Sequence, residues 1–281
     1  MKIAYCLYGM PRLLEQGHTN IKKFLNNFSD IKFDFFCHAW WDLDKVGKRY
    51  GGASWSVNRD AICEPETDKK ISKLYNPVDL KVESPKKFEN ELTSIKKLLA
   101  YENISWRNYP SIVSKQEKKF WANQHKNSVY NVLSQLFSRC AVAKMLENNI
   151  QEYDFVIFSR YDYLGEIKLD LNEIDMNKLY TGKCGWWRSF SDYVFEDNML
   201  MFHPSKIEFM KVFDNLSRIA NEVSLMSELK KYKVPLVMIV EPLLTASYFY
   251  NNENTFNEVV YTDLIGYFDK TKKNSGGDNE K

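Results

Sequence analysis

The residues with the clearest chemical potential are Arg160 and Asp162, which end the apolar segment YDFVIFSRYDY. A buried strand is apolar, and in an α/β sheet its carboxyl end is where functional side chains meet a ligand. The two residues have the same parity, so on an extended backbone both side chains point to the same side. A cation beside an anion suits a substrate that carries phosphates, with or without a metal. We therefore expect a nucleotide-sugar site here; the alternative is a simple ion pair at the strand end.

The elements before this strand predict the start of a parallel, doubly wound sheet. Residues 2–8 form an apolar strand, residues 13–28 have helical spacing, and residues 33–37 form a second strand. A third strand follows at 78–82, and a core-facing helix from residue 129 precedes the strand that ends at Asp162. The fold class is therefore α/β, a mixed sheet flanked by helices in a single large domain.

The second half of the chain predicts shorter elements. Residues 180–181 and 198–203 indicate strands, and Ser205 with Glu208 forms a capping box that opens a long amphipathic helix. Residues 42–68 are expected to be a long loop, and residues 89–127 a charged insertion with surface helices. The domain is expected to span residues 1–269, followed by a polar, disordered tail at 270–281.

The composition excludes several classes of protein. Lys and Arg number 39 against 37 Asp and Glu, a formal charge of +2, so no basic face for nucleic acid is expected. Five cysteines without a close pair, of which Cys6, Cys37 and Cys140 lie in apolar runs, indicate free thiols in a reducing compartment. The absence of a leader or a transmembrane segment in this sequence favours a cytoplasmic protein.

Other candidate residues lie in loops and at strand ends. In the turn Gly9-Met10-Pro11-Arg12, glycine admits a ligand to the backbone and arginine binds phosphate, although a plain turn is equally expected. Neither the dinucleotide motif GxGxxG nor the P-loop motif occurs. His38 follows the second strand. There it could contact one of the substrates of a sugar transfer, the sugar donor or the acceptor, or it could be a core histidine whose hydrogen bonds are satisfied.

An inverting transferase needs a carboxylate that deprotonates the acceptor hydroxyl. The candidates are Asp197, the first choice, Asp192 and Glu196 in the same acidic segment, and Glu241 before Pro242. The acids of this segment are equally expected to be merely solvated, and Glu241 to be a helix-start acid.

Five segments occur in an order that resembles a known family: KIAYCLYGMPR, FDFFCHAWW, LYNPVDLKVESPKKF, SVYNVLSQLFSRCAVAKM and YDFVIFSRYDY. The chain is similar to glycosyltransferases of bacterial surface-polysaccharide loci and some large viruses, including the WavE-like lipopolysaccharide-synthesis proteins. The similarity runs from Met1 to Asp162 and continues more faintly through EDNMLMFHPSKIEFM and VEPLLTASYFY.

The resemblance implies a GT-A-like, Rossmann-like fold, a nucleotide-diphosphate-sugar donor, and a divalent metal, Mn²⁺ or Mg²⁺, held by Asp162. By the same resemblance the donor site includes Gly9, Arg12, Ser134, Gln135 and Arg160. Asp197 matches the family's later acid, and Glu241 the acid before its final helix. Arginine stands at position 160, where such families show a second acid, which puts metal dependence in question.

The leading hypothesis is a glycosyltransferase that uses a nucleotide-sugar to modify a glycan or glycoprotein acceptor. One alternative is a sugar nucleotidyltransferase, which would carry a glycine-rich basic loop after its first strand. The other is a catalytically silent glycan-binding or scaffold protein, which would bind saccharide but no nucleoside diphosphate.

Overall fold

Seven strands form one mixed sheet in the part of the chain that the computed structural model describes, residues 1–50, 61–91, 134–164, 167, 170–182, 199–211 and 258–262. The strands are β1 Lys2–Tyr8, β2 Lys32–Trp40, β3 Asp79–Glu83, β4 Phe155–Arg160, β5 Lys178–Gly182, β6 Met199–Phe202 and β7 Glu258–Thr262. Their order is β3-β2-β1-β4-β6-β5-β7. Strand β6 runs antiparallel to both of its neighbours, and the other pairs are parallel.

Helices cover both faces of this sheet. They are α1 Leu14–Leu25, α2 Thr67–Tyr75, α3 Pro85–Glu91 and α4 at 134–147, with 3₁₀ turns at Leu43–Lys45, Ile150–Glu152, Leu171–Glu173 and Pro204–Lys211. Helices α1 and α2 pack on one face, where Ile21 and Ile71 meet Tyr5 and Ile157. Helix α4 packs on the other face with the 3₁₀ turn at Pro204–Lys211. Strand β1 is therefore covered on both sides, which explains its continuous apolar sequence.

The predicted fold class is confirmed as a mixed α/β sheet flanked by helices. Strand β1 has the predicted bounds, and Cys6, Cys37 and Cys140 are buried free thiols as expected. None of the helices in the described part of the chain has the length and apolarity needed to cross a bilayer. The domain limits and the tail at 270–281 extend beyond the described residues and stay predictions.

Three local expectations were wrong. Strand β2 continues through His38 to Trp40, because its residues up to Trp40 find backbone partners in β3. Strand β4 ends at Arg160 rather than at Asp162, which lies in the turn that follows. The loop expected at 42–68 is found in its described residues, apart from the 3₁₀ turn Leu43–Lys45 and the start of α2 at Thr67, and residues 51–60 lie outside the described part. The expected capping box does not form, since Ser205 Oγ lies 2.9 Å from His203 Nδ1 and Glu208 accepts a hydrogen bond from Lys211. The described residues after Pro204 form a 3₁₀ turn rather than an α-helix.

Helix α1 approaches the residues that follow β4 very closely at Gly17. A Cβ atom on Gly17 would overlap the carbonyl oxygen of Tyr161 and lie 2.9 Å from its carbonyl carbon. Both of these atoms belong to the backbone, so neither can swing away as a side chain would. Glycine at this position therefore allows the loops that follow β1 and β4 to meet.

We expect Gly17→Ala to destabilise the protein, although alanine normally favours a helix by about 1 kcal/mol over glycine. The overlap with Tyr161 reverses that sign, for a net loss of about 2 kcal/mol in the free energy of unfolding. Urea denaturation measures the loss, with Lys23→Ala on the exposed face of α1 as the control. A Gly17→Ala variant that is more stable than the wild type would contradict the close approach.

Candidate functional site

The candidate site lies where the order of the strands reverses. From β1 the chain moves outward through β2 to β3, and then returns to place β4 on the other side of β1. In open α/β sheets, ligands bind at the carboxyl ends of the strands at such a switch point. The last residues of the two strands, Tyr8 and Arg160, are paired in the parallel register. The turn at 9–12 and the turn after Arg160 therefore border the same crevice.

Two arginines converge on one carboxylate at this switch point. Arg160 donates through Nε to Asp162 Oδ1 and through Nη2 to Oδ2, both at 2.8 Å. Arg12 Nε forms an ion pair with Asp162 Oδ2 at 3.1 Å from the opposite turn. The side chain of Asp162 is only 2% exposed, whereas those of Arg12 and Arg160 are 12% and 22% exposed. Asp162 thus orients the two arginines, and solvent reaches the arginines rather than the carboxylate.

This arrangement does not fit a divalent cation at Asp162. A metal would need the two carboxylate oxygens that accept from Arg160, and it would face the positive charges of both arginines. No group of three His, Cys, Asp or Glu side chains within the described ranges could hold a metal ion. We therefore place no metal at Asp162 and derive no step through one.

Gly9 has the backbone conformation that its turn requires. Its φ of +96° lies in the left-handed region, where glycine is unstrained. The Gly9 N–H donates to Ser138 Oγ at 2.8 Å, and the Gly9 carbonyl accepts from the Trp40 N–H at 3.0 Å. No heavy atom that the structure describes lies within 4 Å of where its Cβ would be. The described residues therefore leave the space beside Gly9 open, whereas the Gly9 N–H is already bonded to Ser138.

His38 lies inside β2 and is completely buried, as a core histidine. Its Nδ1 is 2.6 Å from Ser138 Oγ, and its Nε2 is 3.1 Å from Glu83 Oε2. Burial lowers the pKa of His38, against the opposing effect of the hydrogen bond with Glu83. That same hydrogen bond, with Lys87 and Lys81 nearby, lowers the pKa of Glu83 to about 2 despite its burial. The pair is therefore a neutral imidazole beside a carboxylate.

The structure brings together Arg12, Arg160 and Asp162 directly, and Gly9 and His38 through Ser138. Ser134 and Gln135 begin the described part of α4, where the Ser134 carbonyl accepts from Trp40 Nε1 at 3.3 Å. The predicted acids Asp192, Asp197 and Glu241 lie outside the described residues. The site-residue assignments as a whole therefore stay predictions.

Sequence reasoning missed Ser138, Glu83 and Gly17. Ser138 lies four residues after Ser134, a spacing that puts both on one face of a helix. Glu83 follows the predicted third strand, the same kind of position that drew attention to Arg160. Gly17 carried only the weak signal of a glycine within a helical pattern.

Neither a known protein family nor a curated protein matches this sequence. Among solved structures, the fold is similar to two of the galactosyltransferase LgtC, one with donor and acceptor sugar analogues and one an active-site mutant. Identity is 10% and 12%, the TM-scores are 0.34 and 0.37, and each match covers 95% of this chain and 87% of that one. Likeness at this level carries no argument about activity, so the function must be argued from the site itself.

We expect Asp162→Asn to lower the free energy of unfolding, because the two guanidinium groups would lose the charge that holds them together. The loss should be about 2 kcal/mol, between the values for a surface pair and a broken buried pair. Urea denaturation at neutral pH measures it, with the exposed Asp30→Asn as the matched control. Equal stability of the two variants would show that the ion pairs contribute little.

Acidification should destabilise the protein through His38 and Glu83. Because the pKa of His38 is lowered from 6.5, the unfolded chain gains a proton first, and stability falls as the pH drops below 6.5. The contribution of Glu83 is present above pH 4.5 and is lost as the pH falls toward 2.

Urea denaturation at pH 7.5 and 5.5 measures the His38 component. His38→Asn should flatten the pH dependence, and the slope that remains includes His18, whose pKa is also lowered by burial. Identical slopes for His38→Asn and the wild type would contradict the assignment.

Proposed function

We propose that this protein is a glycosyltransferase that moves a sugar from a nucleotide-diphosphate-sugar to a glycan or glycoprotein acceptor. The observation that carries the proposal is the convergence of Arg12 and Arg160 on Asp162 at the switch point of the sheet. Two guanidinium groups are thereby held where an α/β sheet binds its ligands. The ordered similarity to WavE-like proteins, and the GT-A-like fold which that similarity implies, support the same class.

The exposed parts of the two arginines suit the diphosphate of the donor. Guanidinium groups present N–H donors in a planar fork that matches phosphate oxygens. Beside Gly9, the described residues leave space through which a bulky ligand can approach the end of β1. Binding there would place the diphosphate between the turns that follow β1 and β4.

In the reaction, the bond between the sugar and the diphosphate breaks and the diphosphate leaves with increased negative charge. Arg12 and Arg160 would stabilise that charge, and Asp162 would keep them in position beforehand, so that little reorganisation is needed. The acceptor oxygen forms the new bond to the anomeric carbon. If the reaction inverts the configuration there, a carboxylate accepts the proton of the acceptor hydroxyl, and Asp197 is proposed for this role, with Asp192 and Glu241 as alternatives. Catalysis would otherwise consist of holding donor and acceptor in line.

Calorimetric titration with UDP, GDP, CDP and CMP, each with Mn²⁺ or with EDTA, tests the proposal. We expect one nucleoside diphosphate to bind, with similar affinity under both conditions, because the arginines supply the positive charge. Arg160→Lys should weaken binding about tenfold through loss of the planar fork. Lys32→Ala, at the opposite end of the parallel strands, is the control and should bind as the wild type does.

Two outcomes would overturn parts of this proposal. Binding only in the presence of Mn²⁺ would show that a metal, not the arginine pair, neutralises the diphosphate. Binding of oligosaccharide without any nucleotide would favour the catalytically silent glycan-binding protein.

A further inference from the structure

A chain of hydrogen bonds crosses the buried layer beneath the switch point and joins three strand ends to α4. It runs from Gly9 N–H to Ser138 Oγ at 2.8 Å, then to His38 Nδ1 at 2.6 Å, and from His38 Nε2 to Glu83 Oε2 at 3.1 Å. Ser138 and His38 are both fully buried. Neither side chain can touch a ligand, yet the chain ends at the peptide that borders the proposed diphosphate site.

The chemistry of the four groups fixes the direction of the bonds. The Glu83 carboxylate only accepts, so His38 Nε2 must carry the proton. In the neutral imidazole, Nδ1 is then an acceptor, and it takes the hydroxyl proton of Ser138. The remaining capacity of Ser138 Oγ is to accept, which it does from the Gly9 N–H. Each group therefore has one donor or acceptor role in this series. These roles require that His38 Nδ1 carries no proton.

The series of hydrogen bonds ends at Gly9, which begins the turn that carries Arg12. Both backbone polar groups of Gly9 are bonded. Its N–H donates to Ser138 Oγ, and its carbonyl accepts from the Trp40 N–H. Three residues later, Arg12 makes its ion pair with Asp162. The path from Gly9 to Arg12 is short, so a rotation of the Gly9 peptide changes the direction in which the turn leaves β1.

We propose that His38 is a positioning residue that, through Ser138, fixes the Gly9 peptide and with it the turn that carries Arg12. It acts without contact with the ligand, in contrast to the direct donor contact that its position after a strand suggested. The inference rests on the proposed function only for its effect on nucleotide affinity. Its structural content, the link from His38 to the Gly9 amide, can be measured without any ligand.

Two substitutions of His38 distinguish the roles of its two ring nitrogens, because each removes the hydrogen bond of one nitrogen and keeps that of the other. His38→Asn puts a carbonyl oxygen near the place of Nδ1, which keeps an acceptor for Ser138 and removes the bond to Glu83. His38→Gln puts an amide N–H near the place of Nε2, which keeps the bond to Glu83 and leaves Ser138 without its acceptor. Each variant loses one hydrogen bond of the pair, so a purely structural role of His38 predicts similar effects.

The primary measurement is amide exchange at Gly9 in protein labelled with ¹⁵N-glycine. The chain has 11 glycines, and Gly9→Ala identifies the signal by its disappearance. We expect His38→Asn to leave the exchange rate of Gly9 near that of the wild type. His38→Gln and Ser138→Ala should raise it about tenfold, as expected for loss of one hydrogen bond. Glu83→Gln keeps an acceptor for His38 Nε2 and should leave Gly9 protected.

The second measurement is the affinity for the nucleoside diphosphate that the wild type binds. His38→Gln should weaken it about tenfold, and His38→Asn should not. Equal Gly9 exchange in His38→Asn and His38→Gln would overturn the inference, whatever the stability of the two variants. If the wild type binds no nucleoside diphosphate, the proposed function fails, while Gly9 exchange still decides the role of His38.

Discussion

Two positively charged groups on separate turns repel each other, and this repulsion is the constraint on which the candidate site depends. Asp162 offsets it by accepting hydrogen bonds from Arg160 with both oxygens and by forming an ion pair with Arg12 through one of them. The carboxylate can do so only because α1 lies directly against the backbone of the turn after β4, where Gly17 allows the contact. The register of β1 with β4 then sets which residues stand at the edge. The packing of α1 against the turn after β4 therefore determines where these charged side chains lie.

The sheet is stabilised differently along the amino ends of its parallel strands, here called the amino edge, and along their carboxyl ends, the carboxyl edge. At the amino edge, the Lys2 ammonium pairs with Glu152 and Asp34, and the Lys2 N–H donates to Asp154, all near solvent. Such pairs contribute little to stability and tolerate several side-chain positions. At the carboxyl edge, the bonds of His38 and Ser138 are buried, and each has one available direction. A buried polar network is costly unless complete, and when complete it specifies one arrangement. The carboxyl edge is thus the more precisely defined of the two, as a ligand site requires.

The sequence predicted what local patterns determine. The apolar runs of β1 and β4 were placed correctly, because a strand covered on both faces leaves a continuous apolar signal, although β4 ends at Arg160 and not at Asp162. The bond from Gly9 to Ser138 joins residues 129 positions apart, and no local pattern encodes it. The ion pair between Arg12 and Asp162 was equally inaccessible, because it joins two turns that lie far apart in the sequence. His38 was expected to follow the second strand, because the apolar pattern ends at Cys37. In the structure, pairing with β3 extends β2 through His38 to Trp40.

Arginine at position 160 can be understood from the charge that a diphosphate requires. An aspartate that holds one divalent cation presents one net positive charge to the ligand. Under the proposed function, Arg12 and Arg160 supply positive charge to a diphosphate as permanent groups of the chain, and Asp162 holds them in place. The difference lies in what must be assembled before the ligand binds. A metal has to be recruited and its ligands deprotonated, whereas the arginines are covalently part of the chain and always charged. The strength of such a site would depend on how firmly the turns are held, and the buried hydrogen bonds of His38 and Ser138 hold the turn after β1 at Gly9.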